Sequence, residues 1–126
     1  MIDVEKQAAY WNAGAIDDFE AATALLDKGK VRQAMFFARL VIEKALKAHV
    51  CRATGDLAPR IHDLLRLAEL GDVTLDDDRR AVLVEANSFN LAGRYPDTWP
   101  LVPSETEASA LMVRVDEVVQ WLISPS

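Results

Sequence analysis

The stretch that decides the fold is Ala34–His49, AMFFARLVIEKALKAH. At about 100° per residue, a helix gathers Ala34, Phe37, Ala38, Val41, Ile42, Ala45, Leu46 and His49 on one broad side. Arg32, Arg39, Glu43 and Lys47 gather opposite, with Lys44 at the edge. An apolar arc of about half the circumference must touch several neighbours, so this helix organises the fold. On the polar side, Arg39, Glu43 and Lys47 stand at i, i+4 and i+8, and Glu43 can bridge both cations. The expectation for such a row is a solvated face of little stabilising value. Phe36 and Leu40 interrupt it, and two large apolar groups one turn apart suggest a partner surface for self-association.

Working outward, four more helices explain the pattern. The first runs from about Asp3 to Lys28, with a seam of Ala8, Trp11, Ala15, Phe19, Ala22 and Leu26. Gly14 interrupts its flank at a cost of about 1 kcal/mol relative to Ala, and Gly29 supplies the stop. The second spans Lys30 to about Thr54, closed by Gly55 and Pro59. The third is short, Ile61 to about Leu70, followed by Gly71. The fourth begins at Thr74, where Asp77 completes a variant capping box, and runs to about Ser88. Phe89 to Pro103 reads as irregular, because Asn90, Gly93, Pro96, Pro100 and Pro103 suit helix interiors poorly. The last helix opens on Ser104 and Glu107, an S-x-x-E capping box, and carries Ala108, Leu111, Met112, Val115, Val118, Val119 and Leu122 on its apolar side. No segment alternates as a strand would. Short connections between long helices favour antiparallel neighbours. The expected fold is all-α: an up-down antiparallel helical bundle of four long helices plus a short fifth helix, in a single domain over residues 1–126.

Composition narrows the function. The chain is 51% hydrophobic and 27% charged, with a net charge of -6, as in a globular protein. That sign opposes a general nucleic-acid coat, although a local basic patch is compatible with it. Cys51 is the sole cysteine, so no intramolecular disulfide forms, and a buried inert thiol is expected. No apolar run is long enough to span a bilayer. The opening residues, MIDVEKQAAYW, carry acids where a signal peptide carries a basic segment. No membrane association and a cytoplasmic location are the expectations.

The candidate binding segment is Asn87–Asp97, NSFNLAGRYPD, long and aromatic for a bundle loop. Arg94 offers a planar fork of donors for phosphate or carboxylate. Tyr95 offers a ring face and a hydroxyl, and Trp99 a further stacking surface. The structural alternative pairs Arg94 with a local acid such as Asp97. His62 stands beside Asp63 at a helix start, where capping is the commoner role and a tuned base the alternative. His49, mid-arc among apolar residues, reads as a satisfied core or interface histidine. Metal chemistry has no support: there is no Glu-x-x-His pair, and two histidines with one cysteine make no closed zinc set. No phosphate-binding G-x-x-x-x-G-K-[ST] loop is present, and no cofactor is implied.

Three features in order resemble the HEPN family (higher eukaryotes and prokaryotes nucleotide-binding domain). They are W-x-x-x-A-x-x-D-F over Trp11–Phe19; A-x-x-x-I-E-K-A-L-K-A over Ala38–Ala48, then His62-Asp63-Leu64; and Asn90 followed by Arg94-Tyr95-Pro96-Asp97. The resemblance implies an all-α bundle, commonly a homodimer. It also implies a companion, a minimal nucleotidyltransferase, for which such proteins are thought to bind nucleotides or substrates, in some cases within toxin–antitoxin-type pairs. Some family members are RNA-cutting toxins with an Arg followed after four to six residues by His. Here no arginine precedes His49 or His62 at that spacing, and no histidine follows Arg94. The imidazole that would move the 2′-hydroxyl proton is missing, so RNA is the less favoured ligand. The leading expectation is a non-catalytic nucleotide-binding module. In it Arg94 meets phosphate, Tyr95 stacks, Lys44 and Lys47 supply positive potential, and Asn90 and His62 complete the ligand set. The alternatives are a ribonuclease toxin with an altered site, and a purely structural dimer held through Phe36 and Leu40.

Overall fold

The computed structural model of the chain describes residues 2–89 and 102–124. It holds α1 (Val4–Asp27), α2 (Val31–Thr54), α3 (Leu64–Leu70), α4 (Asp77–Asn87) and α5 (Glu105–Ile123), with no strand among the described residues. The helical class is as expected, but the lengths differ. α1 and α2 have 24 residues each and α5 has 19, whereas α4 has 11 and α3 has 7.

Helix ends follow local chemistry. The Ser104 hydroxyl accepts from Glu107 N and the Glu107 carboxylate accepts from Ser104 N, closing the expected capping box of α5. At α4 the expected Thr74–Asp77 box is not the cap. Asp76 takes the position, accepting from Arg79 N at 2.8 Å while its other oxygen pairs with the Arg79 guanidinium. A carboxylate there satisfies an orphan N–H and the positive helix end together, so the helix starts at Asp77. α3 likewise starts at Leu64 rather than Ile61. Asp63 caps it by accepting from Leu65 N, and the Asn87 side chain accepts from Leu64 N.

Helix directions come from the contacts. Arg52 meets Glu5 and Lys44 meets Asp18, so α1 and α2 run antiparallel. After Thr54 the chain turns back along α2 for eleven residues of helix, about 16 Å, until His62 reaches Glu43. α3 then descends in the same direction as α2, ending with Gly71 against His49 and Val50. α4 ascends again, its Asn87 bonded to Asp63. Arg79 at its start stacks on Trp121, and Glu85 near its end pairs with Arg114, which makes α4 antiparallel to α5. The simple up-down alternation therefore breaks at α2–α3.

α2 lies at the centre and contacts every other helix. Its predicted arc is buried at Ala34, Ala38, Val41, Ile42, Ala45 and Leu46, but burial extends to Met35, Ala48, Val50 and Cys51 as well. Against it α1 presents Ala8, Ala15 and Ala22, all fully buried. Spaced seven apart, these methyls let the two backbones approach closely, with Phe19 and Leu26 packed beside them. His49, as expected, is satisfied, its Nε2 lying 2.6 Å from the Leu122 carbonyl.

Two adjacent residues divide the turn after α3. Asp72, not Gly71, adopts the left-handed backbone, φ 58°. Gly71 is required by space instead. A Cβ there would meet His49 Cβ at 3.0 Å, Leu67 O at 3.2 Å and Val50 N at 3.3 Å. Two of these are backbone atoms that cannot yield. Gly71→Ala is therefore expected to lower unfolding free energy by about 1–3 kcal/mol, read by urea denaturation, and an unchanged midpoint would contradict this account.

Candidate functional site

The row Arg39, Glu43, Lys47 is not a solvated face. These residues are only 2%, 4% and 6% exposed. The expectation failed because α2 is covered on this side too, by α1 and by the segment returning from Thr54. Glu43 is the hub. Its Oε1 accepts from Arg39 Nη1 at 2.7 Å, and its Oε2 meets Lys47 Nζ at 3.1 Å and His62 Nδ1 at 3.2 Å. Arg39 Nη1 also donates to the His62 carbonyl at 3.2 Å. His62 is thus bound at both backbone and ring, although its side chain is 58% exposed. The Lys47 ammonium lies 5.1 Å from the centroid of the Trp11 ring, a cation–π contact strengthened by burial.

Burial opposes ionisation of Glu43. The hydrogen bond from Arg39 and the charges of Lys47 and Arg39 outweigh it, so the carboxyl is held below its usual value of 4.5. Glu43 is therefore an anion at neutral pH, facing two fixed cations and an imidazole. The cluster carries a net positive charge, and Arg39 Nε within it is buried without a hydrogen-bond partner.

A second ion pair lies alongside. Lys44 Nζ reaches Asp18 Oδ2 at 2.7 Å, off the hydrogen-bonding direction. Its stem passes over Gly14, whose added Cβ would stand 3.2 Å from Lys44 Cδ. The mid-helix glycine that weakens α1 thus makes room for a lysine crossing from α2. Beside this crossing is a cavity of ≈ 280 Å³ lined by Tyr10, Trp11, Ala13, Gly14, Asp17 and Lys44. On the same helix, the indole Nε1 of Trp11 and Oδ1 of Asn12 are buried without hydrogen-bond partners.

The residues singled out from sequence are placed unevenly. Lys44, Lys47 and His62 converge on the α1–α2 face, with Lys47 buried and Lys44 partly open. Phe36 and Leu40 are half-buried, Phe36 edge-on to Phe37. Asn90, Arg94 and Tyr95 lie outside the described residues. Sequence reasoning joined Arg39 to Glu43 and Lys47 but expected the row to be solvated, and it missed Trp11 and Asp18 as partners of these polar groups. The signal was present in Trp11 and Asp18 sharing α1 with an alanine seam, but their partners could not be read from it. Among the described residues, no group of His, Cys, Asp or Glu could hold a metal ion, and no helix is long and apolar enough to cross a membrane.

Removing the hub strands two buried cations. Glu43→Gln is expected to cost about 3–5 kcal/mol at neutral pH. Because the folded carboxyl titrates below 4.5, its stabilisation is complete above that value and disappears as pH falls through the lowered one. Urea unfolding across a pH series should show a steeper loss below pH 4.5 in the wild type than in Glu43→Gln, where only other carboxylates such as Glu107 still titrate. Parallel profiles would refute the role given to Glu43.

Comparison with known proteins agrees with this architecture. The structure of TT1696 from Thermus thermophilus superposes with a TM-score of 0.76 at 22% identity, covering 92% of this chain and 95% of that one. The structure of ST0689, an archaeal HEPN homologue, gives a TM-score of 0.70 at 21% identity, covering 97% and 96%. No curated protein matches the sequence. The HEPN domain family matches residues 8–124, nearly the whole chain. The chain belongs to the HEPN domain family.

Proposed function

We propose that this protein is a non-catalytic module that binds a nucleotide, or a nucleotide-containing substrate, as the partner of a separately encoded minimal nucleotidyltransferase within a toxin–antitoxin-type pair. The observation that carries the reading is the buried cluster on α2, where the two cations Arg39 and Lys47 face a single carboxylate. Arg39, Lys47 and His62 share one carboxylate, Glu43. In a medium of reduced dielectric, such fixed charge projects a positive potential that attracts phosphate. This happens in a chain whose net charge is -6, so the attraction is local. Lys44, 29% exposed at its side chain, is the cation of this face that can move to a ligand. Lys47 acts through its field alone, because Glu43 and Trp11 already occupy it.

In this reading Arg94 meets the phosphate, Tyr95 stacks or orients the ligand, and Asn90 and His62 contribute hydrogen bonds. Asn87 anchors the chain ahead of Asn90 onto Asp63 and Leu64, next to His62. Arg94 follows seven residues after Asn87, within a fully extended reach of about 25 Å. Calorimetric titration with ATP and other nucleotides checks the proposal. Binding by the wild type, weakened at least about tenfold in Arg94→Ala, is the expected result. No binding, or equal binding by the variant, sinks it.

The module acts as a homodimer through the Phe36–Leu40 surface. Both side chains remain half-open, as Phe37 beside them does, on a helix that is largely buried over the residues that follow, 41–51, which marks where another surface can still be added. Replacing Phe36 and Leu40 together by Ser is expected to halve the mass measured by light scattering. An unchanged mass would remove this interface.

A further inference from the structure

We propose that the cavity between α1 and Lys44 takes the base of a guanine nucleotide; this rests on the nucleotide-binding reading above and names its ligand. The cavity is ≈ 280 Å³, at the small end for ligand sites, so it admits a ring system rather than a whole nucleotide. Tyr10 and Asp17 are seven residues apart on α1 and therefore share one face, separated by about 10 Å of helix. Between them Ala13 forms a shallow floor, and Gly14 is covered by the Lys44 stem, so a flat group lies beside that stem rather than beneath it. The aliphatic stem of Lys44 forms the opposite wall, and its ammonium is drawn off to Asp18.

Each wall has a chemistry. Tyr10 is 68% exposed, an aromatic ring left in solvent. It is held nearly perpendicular to Trp11, at 77° with centroids 5.4 Å apart. This gives a base a ring surface to stack on without ordering a flexible side chain first. Asp17 is exposed and makes no hydrogen bond or ion pair among the described residues. A carboxylate only accepts, through two oxygens. The guanine edge offers two adjacent donors, N1–H and the exocyclic N2–H, which match it. Adenine offers one donor beside a ring nitrogen that is itself an acceptor, and would set that lone pair against a carboxylate oxygen. The guanine edge is therefore the better match to the carboxylate, and the adenine edge carries a repulsive pair of acceptors.

The test is calorimetric titration of the full chain with GTP and with ATP in the same buffer, for the wild type, Asp17→Asn and Tyr10→Ala. Both replaced residues are exposed, and circular dichroism verifies that the variants remain helical. The wild type should bind GTP at least about tenfold tighter than ATP. Asp17→Asn should erase that preference by weakening GTP while ATP is unchanged. Tyr10→Ala should weaken both nucleotides by about tenfold or more, the range of a lost base–aromatic stack. Equal affinity of the wild type for the two nucleotides overturns the guanine assignment, as does a preference that survives Asp17→Asn. Either result leaves nucleotide binding itself standing. Failure of the wild type to bind any nucleotide overturns both.

Discussion

The burial of one carboxylate between cations is the constraint on which the rest of this structure depends. Glu43 lies on the most enclosed helix of the bundle and is held by Arg39, Lys47 and His62. Taking such charges out of water is expensive, and their mutual attraction offsets the cost only when geometry is good. The geometry here is supplied by three separate parts of the chain. α2 provides the hub and two cations, α1 lays the Trp11 ring over Lys47, and the segment returning from Thr54 brings His62 by both its carbonyl and its ring. The cluster is therefore a registration device. It fixes how far back the chain runs along α2 before α3 can start, and so sets the direction of α3.

Close approach makes that arrangement possible, and small residues provide it. Ala8, Ala15 and Ala22 bring α1 onto α2, and Gly71 brings the end of α3 against the α2 backbone. Gly14 lets Lys44 cross α1 to Asp18. In each case the residue is chosen by what must pass over it rather than by its own contacts. A helix-propensity ledger would count Gly14 as a defect; in the fold it opens a path for a side chain and leaves a cavity beside it.

Functionally, the polar cluster and the cavity are two consequences of one helix pair. The cluster sets two cations against one carboxylate where α1 covers α2, and the cavity shapes the surface beside it. Family membership fits a binding role for such a face without specifying it, and the chemistry of the walls carries the rest of the argument. Asn87, at the end of α4, is tied by its side chain to Asp63 and the start of α3; Asn90–Asp97, quoted for the family resemblance, lie outside the described residues.

The sequence by itself determined the helical class, most helix ends and the family. These rest on local physics: caps such as Ser104 with Glu107, stops such as Gly29 at φ 75°, and the period of apolar residues. The same period also identified the core side of α2 and the satisfied role of His49. It could not tell how many neighbours would cover α2. Periodicity gives a residue's angle around its own helix, whereas burial depends on what packs outside that angle. Arg39, Glu43 and Lys47 therefore read as solvated and proved enclosed. The meeting of His62 with Glu43 was equally hidden, because it depends on a backtracking segment with no period of its own. What only the tertiary structure decided was which polar groups left water together, since that is a property of several chain segments at once.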